Sequence, residues 1–155
     1  MTKTLLAAIS LLALTVVHHL YGAAIYATPW RHHVALIALP VLFVLILAYG
    51  IHRWRPSSFI GRSFMWVFIV LTLLVPVAWI GLFEGGYNHV LKNALFFAGL
   101  PRATFDRLFP PPAYELPNDL WFEVTGVLQF FIALYVVYCL LGLWKERRGG
   151  GCKRR

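Results

Sequence analysis

The sequence predicts an all-α membrane protein with four transmembrane helices. Of its 155 residues, 60% are hydrophobic and only 13% are charged, and the mean hydropathy is +0.72. A soluble domain of this length could not bury so much apolar surface. The apolar residues fall into four stretches: Leu5–Tyr26, Val34–Ile51, Phe64–Phe83 and Leu120–Trp144. At about 1.5 Å per residue, each stretch crosses or nearly crosses a bilayer core of roughly 30 Å.

The distribution of basic residues predicts the orientation. Lysines and arginines cluster before the first stretch, between the second and third, and after the fourth, at Lys3, Arg53, Arg55, Arg62, Lys145, Arg147, Arg148, Lys153, Arg154 and Arg155. Cytoplasmic segments carry such an excess, so both termini are expected in the cytoplasm. We therefore predict a multi-pass protein of a cell inner membrane, with one four-helix domain over residues 1–148 and a basic cytoplasmic tail over residues 149–155.

The net charge of +8 would then lie mostly on one membrane face. Such a face is expected to contact anionic lipid headgroups. A short basic tail after a membrane span is an ordinary orientation signal, so nucleic acid is not expected as a partner. A membrane-protein partner or a second copy of the chain both remain open.

The long outer link from Glu84 to Asp119 contains its own structural signals. Gly85-Gly86 resembles a helix stop, and Asn88–Leu100 is expected to form a short separate helix that begins at Asn88. Gly99 occupies the position after the helix end that favours left-handed backbone. Because this helix has a broad apolar face, we expect it to lie in the outer membrane interface and cover the bundle.

Under this orientation, five ionisable residues converge on the outer side. They are His18, His19, Glu84, His89 and Glu123. Ionisable residues at membrane depth usually face the bundle interior and pair there. Because adjacent helical residues diverge by about 100°, only one of His18 and His19 is expected to face the bundle fully. These five residues form a predicted polar site.

Two chemistries suit that site. Imidazole and carboxylate ligands together suit a transition metal such as Zn, Cu or Fe, for which all five residues are candidate ligands. Alternatively, Glu123 and His18 could exchange protons as catalytic residues. Haem is disfavoured, because axial histidines would be needed at equal depth and His18 or His19 lies deeper than His32 and His33.

Three function classes therefore remain. The first is a metal-binding or metal-dependent membrane protein. The second is an enzyme or binder for a lipid-like small molecule, in which Pro40 and Pro76 interrupt two helices and shape an apolar pocket. The third is an accessory or assembly subunit whose polar groups only tie the helices together. The sequence contains no phosphate-binding loop and no nucleophile elbow that would add a soluble-enzyme class.

Overall fold

The computed structural model describes the backbone of residues 1–150 and the side chains of residues 1–145. The helices are α1 (Thr2–Ile25), α2 (His33–Trp54, entered through a 3-10 turn over Pro29–His32), α3 (Phe59–Phe97), α4 (Arg102–Leu108) and α5 (Leu120–Gly150). Within the described chain, four helices are long and apolar enough to cross a membrane. The predicted all-helical fold with four spans is therefore confirmed. The predicted tail, residues 149–155, lies outside the described residues except for Gly149 and Gly150, which continue α5.

The apolar core lies between α1, α2, α3 and α5. The most extensive packing joins α5 to the Leu73–Leu91 stretch of α3, and α1 packs along α5. Helix α2 packs mainly along the first half of α3, Phe59–Thr72, and against α1. Fully buried apolar side chains at the centre include Leu11, Leu12, Leu45, Phe68 and Val136.

Helix α3 is longer than predicted, and the prediction of a separate helix that begins at Asn88 is wrong. The chain stays helical through Gly85-Gly86 and Asn88 to Phe97. Glycine inside a helix costs roughly 1 kcal/mol relative to alanine. Here Gly85 lets α3 approach the backbone of α5, since an added Cβ would lie 2.5 Å from the Phe130 nitrogen. Close packing of the two helices offsets the propensity cost.

The winding of α3 changes along its length. It is α-helical over Phe59–Thr72, π-helical over Leu73–Leu91 and α-helical again over Lys92–Phe97. The π-helical stretch contains Pro76, which has no N–H to donate to the preceding turn. The wider winding sets the rotation of the residues that follow, and so decides which of them face α5.

The end of α3 falls where the sequence predicts. Gly99 has a φ of +77°, and its N–H donates to the Phe96 carbonyl at 3.1 Å. The Leu100 N–H donates to the Leu95 carbonyl, also at 3.1 Å. These two bonds form a Schellman motif, which satisfies carbonyls that the helix end leaves free.

The return from α3 to α5 contains one helix that the sequence did not predict. Helix α4 buries Phe105, and the ring of the buried Phe109 lies 5.1 Å from that of Phe105. Helix α5 then begins beside Asp119, whose Oδ1 accepts the Phe122 N–H at 2.7 Å. Asp119 therefore satisfies one of the backbone donors that the start of α5 leaves free.

Candidate functional site

Glu123 lies at the end of the bundle where α1 ends and α5 begins, with hydrogen bonds to both of its carboxylate oxygens. It lies one turn into α5 and is 7% exposed. Its Oε1 accepts a hydrogen bond from Lys92 Nζ at 2.9 Å, and its Oε2 accepts one from His89 Nδ1 at 2.8 Å. Lys92 Nζ also donates to the Glu115 carbonyl at 3.0 Å. Both oxygens of this buried carboxylate are thus bound by α3.

Lys92 was missed as a site residue. It lies in the segment Asn88–Leu100, which the sequence predicts as a helix in the outer membrane interface. In the structure it is 2% exposed and pairs with Glu123. Its three-residue spacing from His89 was the available signal, because residues that far apart share a helix face.

His18 and His19 are both buried, which corrects the expectation that only one faces the bundle. His18 is 2% exposed and its Nδ1 lies 2.9 Å from Thr125 Oγ1. Its ring stacks on Phe122, with centroids 4.1 Å apart, and meets the edge of His89 at 4.7 Å. His19 points to another side of α1, where its Nε2 lies 4.0 Å from Glu84 Oε2. Helix α1 has neighbours on both sides, so both histidines are covered.

The structure thus places all five predicted residues in one cluster with Lys92, which we call the polar centre: His18, His19, Glu84, His89, Lys92 and Glu123. Polar contacts continue below it, where Thr15 Oγ1 donates to Gln129 Oε1 at 2.6 Å. Deeper still, the facing side chains are apolar, including Leu11 and Val136. Beyond Thr15 and Gln129, the buried polar side chains further along the described bundle are the threonines Thr4 and Thr72.

A cavity of about 180 Å³ opens beside the polar centre. It is lined by His18, His19, Trp30, Arg31, His33, Phe83, Glu84, Asn88, His89, Lys92, Ala113, Tyr114, Glu115 and Phe122. The Arg31 guanidinium is 5.1 Å from the centroid of the Phe122 ring and 5.2 Å from that of Trp30. Its Nη2 lies 3.9 Å from Glu115 Oε1. We call this space the polar cavity.

Some buried polar atoms at the polar cavity have no hydrogen-bond partner among the described residues. They include both ring nitrogens of His19, Arg31 Nε and Asn88 Oδ1. His19 also borders a narrow crevice of about 20 Å³, which shares Glu84 with the polar cavity and is otherwise lined by Thr15, Val34, Ile37, Ala38, Val75, Trp79 and Ile80. His19 therefore stands at the boundary between a polar space and an apolar one.

The metal centre predicted for these residues stays a prediction. Among the described residues, no group of three His, Cys, Asp or Glu side chains is placed to hold a metal ion. The reason is the internal pairing. Glu123 is bound by Lys92 and His89, and the Nδ1 of His18 contacts Thr125. His19 and Glu84 are left as a facing pair. The catalytic roles predicted for Glu123 and His18 also stay predictions.

Two tyrosines outside the spans lie close to the centre. The Tyr26 hydroxyl donates to Asn118 Oδ1 at 2.8 Å. Burial, followed by the nearby carboxylates of Glu123 and Asp119, raises the pKa of Tyr26 to about 12. Burial likewise raises the pKa of Tyr114. Both phenols therefore stay neutral hydrogen-bonding groups at physiological pH.

The fold and site define a multi-pass α-helical membrane protein with a buried polar centre near one end of the bundle. The chain is similar to a rat protein, Transmembrane protein 252, with 36% identity over 122 residues. The similarity covers 68% of this chain and 66% of the relative, so the match spans slightly less than two thirds of the relative's length. No protein-family model matches the chain, and no solved structure matches it.

Proposed function

We propose that this protein binds a lipid-soluble small molecule whose polar head occupies the polar cavity. The observation that carries the proposal is His19. Both of its ring nitrogens are buried without a hydrogen-bond partner among the described residues, at the boundary between the polar cavity and the apolar crevice. An unsatisfied buried polar group costs about 1–3 kcal/mol, and a ligand that hydrogen-bonds to it removes that cost.

The packing of α2 supports access from the bilayer. Helix α2 lies mainly along the first half of α3, and the crevice runs between α1, α2 and the second half of α3. Its walls are apolar side chains such as Val34, Ile37 and Val75, apart from Thr15 and the two polar residues at its inner end, His19 and Glu84. Because the crevice is only about 20 Å³, a hydrocarbon tail would lie in the bilayer against these apolar side chains while the head reached the polar groups.

The accessory-subunit interpretation explains a different set of groups. Glu123 with Lys92 and His89 forms an interhelical tie, and Thr15 with Gln129 forms another. Such ties need no ligand and no proton exchange. They do not account for His19, whose ring nitrogens make no hydrogen bond among the described residues and whose Nε2 is 4.0 Å from Glu84 Oε2. A metal ion is the second candidate ligand, because this facing imidazole and carboxylate are suitable first ligands for one.

We also propose that both termini are cytoplasmic, in a cell inner membrane, and that the polar cavity faces outward. The support is the basic charge near the other end of the bundle, at Lys3, Arg53 and Lys145. Cys152 should react with a membrane-impermeant thiol reagent only after the cytoplasmic side is opened. Cys139, buried in α5, provides the unreactive internal control. Labelling of Cys152 in intact cells would show that the orientation is the opposite of the one proposed.

The binding proposal is tested by purifying the protein in a mild detergent and extracting it for lipid mass spectrometry and elemental analysis. We expect a lipid-soluble molecule at near-stoichiometric amount in the native protein and its loss in His19→Leu. The matched control is His32→Leu, because His32 is exposed and does not line the polar cavity. Circular dichroism checks that both variants fold. Three results would each overturn the proposal: His19→Leu retains as much of the molecule as the native protein, the native protein contains stoichiometric metal instead of an organic molecule, or the native protein is empty.

A further inference from the structure

We infer that the head of this ligand is a single, electrically neutral, hydroxylated ring, as in a quinol or a phenol. This inference rests on the proposed function and adds the chemical class of the ligand. It follows from the size of the polar cavity, from the pairing of its charges, and from the hydrogen-bonding atoms that stay open.

The size of the polar cavity fits a head of one ring. Its volume is about 180 Å³. An apolar cavity of roughly 150 Å³ engineered into another protein binds benzene, so this space holds one six-membered ring with small substituents. Aromatic side chains line the cavity, including those of Trp30, Phe83 and Phe122. Aromatic pairs stabilise offset or edge-on ring contacts by about 0.5–1.5 kcal/mol beyond burial, which favours a planar head.

The charges around the cavity favour a neutral head. Arg31 lies 3.9 Å from Glu115, and Lys92 lies 2.9 Å from Glu123. Each of these cations already has a carboxylate partner, and Glu84 adds a further carboxylate. An anionic head would compete with these carboxylates, whereas a cationic head would face the Arg31 guanidinium and the Lys92 ammonium. A neutral head avoids both conflicts and the cost of burying an added charge.

The open hydrogen-bonding atoms favour hydroxyl groups over carbonyls. Neutral His19 offers one N–H donor and one acceptor nitrogen, Arg31 Nε offers a donor, and Asn88 Oδ1 offers an acceptor. A ring carbonyl only accepts, so it would leave the acceptors at His19 and Asn88 unsatisfied. A ring hydroxyl both donates and accepts, and can therefore pair with either type. The reduced, hydroxylated form should bind more tightly than the oxidised form.

The test uses four decyl-chain probes that differ in the head: decylhydroquinone, decylquinone, the dimethyl ether of decylhydroquinone, and decyl phosphate. Binding to the purified full chain is measured anaerobically by native mass spectrometry, with titration of each probe. We expect decylhydroquinone to bind at least about tenfold more tightly than its dimethyl ether, because methylation removes the donors, with decylquinone in between. Decyl phosphate should bind least.

Variants separate head recognition from general hydrophobic binding. His19→Leu should reduce decylhydroquinone affinity to that of the ether, whereas His19→Gln, which retains a donor and an acceptor, should restore part of the difference. His32→Leu should leave all four affinities unchanged. Equal affinity for the hydroquinone and its ether, or tightest binding of decyl phosphate, would overturn the inference while leaving a lipid-soluble ligand in place. An empty native protein that binds none of the probes would overturn both proposals.

Discussion

Disruption of the Glu123–Lys92 pair tests whether the polar centre is a buried charge network. Lys92 is 2% exposed, and its Nζ lies 2.9 Å from Glu123 Oε1. At an effective dielectric constant of about 20, two charges at this distance attract by about 6 kcal/mol. Desolvation of both groups offsets much of that attraction. Removal of one partner still leaves an uncompensated buried charge, which typically costs about 3–5 kcal/mol.

The perturbation is a double-mutant cycle with Glu123→Gln, Lys92→Met and the two changes combined. Glutamine retains an acceptor for His89 Nδ1, which bonds to Glu123 Oε2 at 2.8 Å in the native protein. Each single variant should lose about 3–5 kcal/mol of unfolding free energy. The combined variant should lose much less than the sum, because no unpaired charge remains. A coupling energy of roughly 3 kcal/mol or more is therefore expected.

The assay is reversible unfolding in mixed micelles, followed by tryptophan fluorescence. A coupling energy below about 1 kcal/mol would refute the reasoning, because hydrogen-bonded ties between membrane helices average about 0.6 kcal/mol in such cycles. In that case the pair would be an ordinary interhelical contact exposed to water or to alternative partners. Removal of Glu123 alone is expected to destabilise the bundle, since Lys92 is buried against it.

Gly126→Ala should displace His89 from Glu123 and destabilise the bundle by about 1–3 kcal/mol, because an added Cβ would overlap the His89 ring. The control is Gly142→Ala, whose added Cβ meets open space, and equal unfolding free energies of the two variants would contradict the prediction. Gly99→Val should lower the melting temperature, because the φ of +77° is strained for a β-branched residue; an unchanged melting temperature would show that the helix end rearranges at no cost. In a difference titration of phenolate absorbance, Tyr26→Phe should remove a component with a midpoint near pH 12. The stability of the native protein should fall as pH rises from 10 through 12, because the raised pKa of Tyr26 makes the folded state retain a proton that the unfolded chain has lost. If the component that Tyr26→Phe removes has its midpoint at the ordinary tyrosine pKa of about 10, the burial argument is contradicted.

The approximate contents of the site were predictable, but its pairing was not. Histidines and glutamates at similar depth in different spans predicted that His18, His19, Glu84, His89 and Glu123 would converge. The sequence did not reveal that Lys92 would be drawn inside with them. It also did not reveal which histidine would bind Glu123, because that choice depends on how far each helix is rotated about its axis.

The helical rotation depends in turn on features that carry no clear local signal. Gly85-Gly86 has the composition of a helix stop, yet close approach of Gly85 to the Phe130 backbone keeps α3 continuous. The π-helical winding from Leu73 to Leu91 changes the angle between successive side chains, so a face assigned at 3.6 residues per turn drifts along this stretch. A face predicted before this stretch is therefore not preserved after it.

By itself, the sequence determined the helical class, the four spans and the left-handed end of α3 at Gly99. Those features depend on properties read along the chain: the length of an apolar run, and the backbone conformation that glycine allows. Only the tertiary structure decided that Glu123 pairs with Lys92 and His89, and that His19 is left facing Glu84. Such pairings join groups far apart in the chain, and each is fixed by helix rotation and close packing that no single segment contains.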